Sequence, residues 1–438
     1  MRVAKRPTLY VMVTTVALCV HRAGRGAVPE SRGGIVRRRR LLGTAVTVAA
    51  IALLGAAASG PATAAPPTGR DKPITVMTRN LYLGGDIDRP LKAAAAADPS
   101  NPLATLLAFA GANAQLRAIV DATDFPGRSV ALAHEIATQK PDLVGLQEVA
   151  LWRSGKLELP PPLGRSTRLG VADARHVDID FLATLLKRLR SMGTPYTAVS
   201  IQRESDVEGP AFVGLAGIPT GRDVRLTMRD VVLRRVDSRV HVEHATSGSY
   251  ATTLPFSVGG LTYSFVRGWN AVDVRAGSKR LRFVNTHLES EFRAPAVAQV
   301  EELLAGPARV TDRPVVLVCD CNTDPLDSSL GTLPGGMPDA AKDEGYRRIT
   351  GHGGFTDTWL RVAPAALGFT DGLSETLKDT PAQAATEFDH RIDFVFARGS
   401  GGDVAVDRGV VVGRDPAERT PSGVWPSDHA GVVMRLRP

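Results

Sequence analysis

The chain has 438 residues, 43% apolar and 22% charged, a globular composition long enough for one large domain or two small ones. Its formal charge of +8 is concentrated at the start: residues 1–64 hold ten of the 53 Lys/Arg and one of the 45 Asp/Glu, leaving 43 basic against 44 acidic residues beyond. The body is therefore not basic, which removes bulk electrostatics as a reason to expect nonspecific duplex binding.

In chain order, the first segment reads as an export signal. Arg37-Arg38-Arg39-Arg40 precedes an apolar run over 41–57, and Pro61-Ala62-Thr63-Ala64-Ala65 supplies small residues for cleavage near Ala64. The paired arginines before Leu41-Leu42 leave the Sec and Tat routes both open. A shorter apolar stretch at 10–20 is too short for a membrane anchor, and the residues around it read as an extension from an early start codon.

Beyond residue 73 the pattern alternates. A strand at 74–78 ends at Arg79-Asn80; helices follow at 103–123 and 127–139, the second stopped by Lys140-Pro141. Residues 142–148 form a buried strand ending on Glu148, and Asp178 and Asp180 are placed to cap a helix over 181–189, a role also given to Asp173. After Tyr196, β-branched runs predict strands at 229–235, 261–274, 281–288, 315–319, 391–397, 404–412 and 431–436. Val315-Val316-Leu317-Val318 does not alternate, as expected of a central strand covered on both faces. No linker or repeat divides residues 73–438, which read as one domain of layered sheets flanked by helices. Cys319 and Cys321 stand two apart on a predicted strand, point to one face and read as packed thiols rather than a disulfide.

Polar residues gather at the predicted strand ends: Asn80, Glu148, His287, Asp320 with Asn322, and Asp428 with His429. Such groups are costly to bury singly, and strand ends can converge them at one rim of a sheet. The set is rich in oxygen donors with no thiolate in ligand spacing, which suits Mg²⁺ or Mn²⁺ completed by phosphate oxygens. There is no Gly-rich phosphate loop and no nucleophile-elbow serine, so metal-assisted attack of water on phosphorus is the economical chemistry.

Asn80, Gln147-Glu148-Val149, Asn285-Thr286-His287-Leu288, Asp320-Cys321-Asn322, Arg391-Ile392-Asp393-Phe394 and Ser427-Asp428-His429 occur in the order of the endonuclease/exonuclease/phosphatase superfamily, which the chain resembles over residues 73–438. The resemblance implies an α+β fold, a four-layer α/β/β/α sandwich of two mixed β-sheets flanked by helices. It implies an Mg²⁺- or Mn²⁺-dependent phosphoesterase, which the leader makes a secreted one, and the chain reads as a monomer with no obligate protein partner. Its substrate would be a phosphodiester, in nucleic acid or a phospholipid headgroup, with a phosphomonoester as the alternative on the same scaffold. Carried over by position, Glu148 would be the principal metal ligand, with Asn80 and Asp428 completing the shell. Asp320 and Asn322 would orient the attacking water and the phosphate, and His429 would pair with Asp393; either Asp320 or His429 is the general base. His287 would donate to a phosphate oxygen or assist the leaving group, and Arg267 would add a phosphate contact unless it is a surface ion pair. The family usually has Gly where this chain has Cys319, which adds a side chain beside the catalytic aspartate. Arg222, Arg225, Arg229, Arg234 and Arg235 are candidates for a local basic groove. Phe212-Val213, in the 209–221 loop, is the candidate membrane contact, and no lipid-inserting hairpin is evident.

Overall fold

The computed structural model describes residues 72–437 apart from 161–162, 167–170, 259–260 and 334–335; the expected export signal over 1–64 lies outside the described residues. Two mixed sheets dominate. In the larger, the strands run Ala405–Val412, Gly431–Arg437, Ile74–Asn80, Leu143–Gln147, Arg222–Arg235, Leu151–Lys156 and His176–Asp180, with Tyr196–Ala211 paired along Arg222–Arg235. In the smaller, the order is Thr356–Asp357, Asp393–Arg398, Val315–Asp320, Lys279–His287, Gly268–Ala276 and Val240–Ser249.

The sheets face each other. Ile74, Val76, Leu143, Val232 and Met434 of the larger meet Val272, Phe283, Val316, Val318 and Val395 of the smaller in one buried cluster. On the far side of the larger sheet, Met77, Val144 and Val231 pack against Leu116, Leu132, Ile136 and Leu185 of three helices, Pro102–Ala122, Phe125–Gln139 and Phe181–Ser191. On the far side of the smaller, Val284, Leu317 and Phe396 pack against Val300 and Leu303 of the helix Arg293–Ala305. The central strands are thus covered on both faces, which is why Val315–Cys319 is apolar without alternation and buried throughout. The architecture is the expected four-layer sandwich.

Local chemistry starts and stops the helices where it should. Asn101 accepts from Ala104 N at 3.1 Å ahead of Pro102, and Asp180 accepts from Leu182 N and Ala183 N. Lys140, in the left-handed region at φ 48°, closes the second helix before Pro141. Asp178 does not cap; it pairs with Arg117 at 3.0 Å and accepts from Ser154 Oγ.

Two parallel pairs decide where the chemistry goes. Ile74–Asn80 and Leu143–Gln147 run parallel, joined through three helices, Arg89–Ala96 and the two that follow it, with Asn80 opposite Gln147. Lys279–His287 and Val315–Asp320 run parallel, joined through Arg293–Ala305, with His287 opposite Asp320, and Asp320 in turn lies opposite Asp393. A parallel pair brings two carboxyl ends to the same side. At that rim the sheets nearly touch: a Cβ on Gly145 would lie 2.4 Å from Asn285 Oδ1, and Gln147 Nε2 donates to that same oxygen at 2.7 Å.

Two expectations are corrected. The run over 261–274 is not one strand: Leu261–Phe265 forms a hairpin with Leu254–Val258, while Gly268–Ala276 joins the smaller sheet. The break falls where Val266 N donates to Ser205 Oγ, outside either ladder. The 209–221 loop is shorter than expected, because the strand continues to Ala211 and Phe212 is buried beside Ala110 and Leu159. Val213, 72% exposed, remains outside.

Candidate active site

Glu148 and Asn322 leave their strands in the left-handed region, at φ 54° and 46°, a conformation costing about 1–3 kcal/mol for a non-glycine residue and found where geometry is over-determined. The turn at Glu148 sends its carboxylate back to the rim, where Oε2 accepts from Leu83 N at 2.7 Å. The turn at Asn322 lets its N–H donate to Asp320 Oδ1 at 3.2 Å and its side-chain amide donate to Leu288 O at 3.0 Å.

Asp320 is the centre of the arrangement. Its Oδ2 accepts from Asn80 Nδ2 at 2.9 Å and lies 3.4 Å from His287 Nε2 and 3.7 Å from His429 Nε2. Glu148, His287 and Asp320 present ligand atoms within 4.8 Å of one another, as do Asp320, Asp393 and His429. His429 Nδ1 donates to Asp393 Oδ2 at 2.8 Å, the pairing the motifs imply. Asn80 is tied at both ends, since its Oδ1 also accepts from Tyr82 N. Asp428 follows Ser427, whose Oγ donates to its Oδ1 and to Asn80 O.

Burial and crowding set the charges. Burial, with the Asp393 and Glu148 carboxylates, outweighs His429 and pushes Asp320 up to about 7. Burial and Glu148 do the same for Asp428, also about 7. Burial pulls His429 down, but Asp393, Asp320, Asp371 and Asp428 together hold it well above the usual imidazole value. Burial and the neighbouring Arg267 and His429 charges push His287 well below it, so His287 is neutral. Two buried imidazoles are thereby split into one cation and one neutral ring.

This crowding predicts how stability depends on pH. Asp320 and Asp428 at about 7 and Glu204 at about 8 bind protons more tightly folded than unfolded. Their contribution is complete below about pH 4 and is lost as pH rises through about 7–8. The metal-free protein is therefore expected to lose thermal stability between pH 5 and 8, with Mg²⁺ restoring more at pH 8 than at pH 5. A Tm that climbs steadily with pH without metal would contradict this.

Arg267 is not a surface strand arginine. It precedes Gly268–Ala276, is buried, donates to His287 Nδ1 at 2.9 Å and lies 3.8 Å from both Glu204 and Glu289. The candidate basic groove is absent as drawn, because four of its five arginines are spent internally. Arg225 pairs with Asp206, Arg229 with Asp180 and the Val149 carbonyl, Arg234 with the Val240 carbonyl, and Arg235 with Asp142.

The cysteine expectation is also overturned: Cys319 and Cys321 form a disulfide, with Cα atoms 5.1 Å apart. The reading assumed that both lay on the strand, but it ends at Asp320 and the chain then bends, with Cys321 N donating to Ile392 O. The bend shortens the span into disulfide range. The bridge encloses Asp320 and stiffens the turn that carries it.

Three further groups were not foreseen. Asp371 Oδ1 lies 3.5 Å from His429 Nε2, on a loop held by a bridge to His390. Arg79, fully buried and paired with Glu135, donates to the His429 carbonyl. Arg128, equally buried, donates to the carbonyls of Leu81, Tyr82, Thr123 and Pro426 at 2.8–3.0 Å, tying the first-strand loop to the Ser-Asp-His loop. Arg79-Asn80 carried part of this signal, being an arginine inside a strand covered on both faces.

Residues 110–429 match the model of the Endonuclease/Exonuclease/phosphatase family. Among solved structures, the chain is similar to the Bacteroides thetaiotaomicron mannosyl-6-phosphatase Bt3783, with 15% identity over 83% of this chain and 100% of that one and a TM-score of 0.46. It is also similar to a humanized D. rerio TDP2, with 16% identity over 84% and 99% and a TM-score of 0.43. A third is an endonuclease/exonuclease/phosphatase family protein from Leptotrichia buccalis, with 14% identity over 83% and 100% and a TM-score of 0.45. No curated protein matches.

Proposed function

The chain belongs to the endonuclease/exonuclease/phosphatase family, and on that premise we propose that it is an exported, divalent-metal-dependent hydrolase of phosphodiesters. The observation that carries the reading is Asp320 Oδ2, shared among Asn80, His287 and His429 with Glu148 in ligand range. The residues fit a hard divalent cation: Glu148 offers a half-buried oxygen and Asp320 a buried one, and Asp428 adds a third carboxyl, itself raised in part by the Glu148 charge. Bound there, Mg²⁺ or Mn²⁺ would supply Lewis acidity toward a phosphate oxygen.

The chain's own residues divide the proton work. Asp320, pushed up to about 7, is matched to removing a proton from water near neutrality, with Oδ2 facing the site and Oδ1 held by Asn322 N. His429, kept cationic by its carboxylates, presents Nε2 as the donor to the phosphorane or the leaving oxygen. Asp393 fixes that ring through Nδ1. Neutral His287 takes Arg267 on Nδ1 and turns Nε2 toward Asp320, which makes it a positioning residue for the base.

Export is supported by the leader over residues 1–64 and by the Cys319–Cys321 disulfide, a bond that persists in oxidising compartments. A second reading of the substrate rests on an apolar cleft of about 70 Å³, lined by Ile87, Leu91, Phe109, Trp152, Leu226 and Phe265. Ser205 in its wall adjoins Glu204, and Phe265 lies two residues before Arg267. An apolar trough there suits a phosphodiester carrying an apolar group, as in a phospholipid, better than the bases and sugars of duplex DNA.

The deciding experiment assays protein recovered from the culture medium, with Mg²⁺ or EDTA, against a chromogenic phosphodiester, DNA, RNA and sphingomyelin. Metal-dependent turnover of the chromogenic ester is expected, with the natural substrates ranking nucleic acid against lipid. Protein confined to the cells would refute export, and turnover undiminished by EDTA would refute the metal reading.

A further inference from the structure

Behind His287, a second acidic group lies between the sheets. Glu204 on Tyr196–Ala211, Asp230 on Arg222–Arg235 and His287 present ligand atoms within 4.8 Å of one another, all three buried. The two strands pair along their length, but the register shifts between Arg203 and Asp206, and Glu204 sits in that irregularity. Asp230 is wholly buried and neither carboxylate oxygen has a hydrogen-bond partner. Glu204 Oε1 accepts from Gly268 N, while its Oε2 has no hydrogen bond. Glu289 nearby also keeps one oxygen, Oε2, unpartnered.

The charges do not balance. Arg267 lies 3.8 Å from Glu204 and from Glu289, and one guanidinium against the three carboxylates Glu204, Asp230 and Glu289 leaves two negative charges inside the fold. A buried carboxylate without partners costs several kcal/mol, so the deficit is met by protons or by a cation. The geometry favours a cation. The bare oxygens of Asp230 and Glu204 converge with an imidazole at ligand spacing, a hard donor set for a divalent ion.

We propose that Glu204, Asp230 and His287 form a second divalent-cation site of the Mg²⁺/Mn²⁺ class, next to the Glu148–His287–Asp320 group and sharing His287 with it. The guanidinium of Arg267, which now donates to His287 Nδ1, borders both and would yield that nitrogen when the second ion binds. The site is a binding property and does not depend on which phosphoester is hydrolysed.

The test counts Mn²⁺ bound to the metal-free full chain by equilibrium dialysis, with electron paramagnetic resonance reporting coupling between ions. Two Mn²⁺ per chain, magnetically coupled, are expected for the wild type. Asp230→Asn and Glu204→Gln should each bind one, with the fold checked by circular dichroism. Glu148→Gln should lose the other ion and keep the one held by Asp230. One Mn²⁺ per wild-type chain, or two in both Asp230→Asn and Glu204→Gln, overturns the proposal. So does an Asp230→Asn protein that is more stable without metal and unchanged in metal count, the signature of a protonated pair. Two ions bound with no ester hydrolysed would instead count against the proposed function alone.

Discussion

Replacing His429 with alanine is expected to lower kcat by about 10²–10⁴-fold, the range for loss of a positioned proton donor. The ring lies 2.8 Å from Asp393, 3.5 Å from Asp371 and 3.7 Å from Asp320, and these three carboxylates with Asp428 hold it charged against burial. Asp393→Asn separates charge from position. The amide keeps the shape and a hydrogen-bond acceptor, but burial, which pulls His429 down, is then opposed by fewer charges. The imidazolium should persist to a lower pH than in the wild type, and the alkaline limb of the kcat profile should move down. A merely structural Asp393 would lower activity without moving that limb. A His429→Ala enzyme within tenfold of wild type would end the assignment.

The largest expected loss of stability comes from Arg79→Met. The guanidinium is fully buried and donates to Glu135 at 2.9 and 3.1 Å, so its removal strands a buried carboxylate. Breaking such a pair from one side costs about 3–5 kcal/mol, whereas replacing both partners with apolar residues is often neutral. Urea unfolding should therefore show a large drop for Arg79→Met and recovery of most of it in Arg79→Met/Glu135→Leu. Activity should not recover with stability, because Arg79 also donates to the His429 carbonyl. A single-variant loss below about 1 kcal/mol, or an active double variant, would show that the pair is neither buttress nor positioner.

The parts of the site that were legible share one property: each stands where a β-branched run starts or stops. Asn80, Glu148, His287 and Asp320 follow or end such runs and His429 precedes one, and a polar side chain at a strand end signals a rim whatever lies beyond it. Glu204 and Asp230 were hidden for the complementary reason. They sit within strands, among Gln202, Arg203 and Asp206 in one and Arg229 and Arg234 in the other, where a polar residue looks like a solvated face. Only the second sheet, packed across them, makes those positions interior. The same ambiguity produced the basic groove, since Arg225 and Arg235 find carboxylates on neighbouring strands.

By itself, then, the sequence determined the main helices of the first half, the central strands and the identity of the rim residues, because these depend on local periodicity and on which residue bounds each strand. Tertiary structure alone decided the rest. The bend after Asp320 closes Cys319 onto Cys321. Arg79 meets Glu135 at a separation of 56 residues. The meeting of two sheets gives two histidines opposite charges and leaves Asp230 without a partner. Burial, pairing and pKa depend on what packs against a group, and strands distant in the chain supply that here.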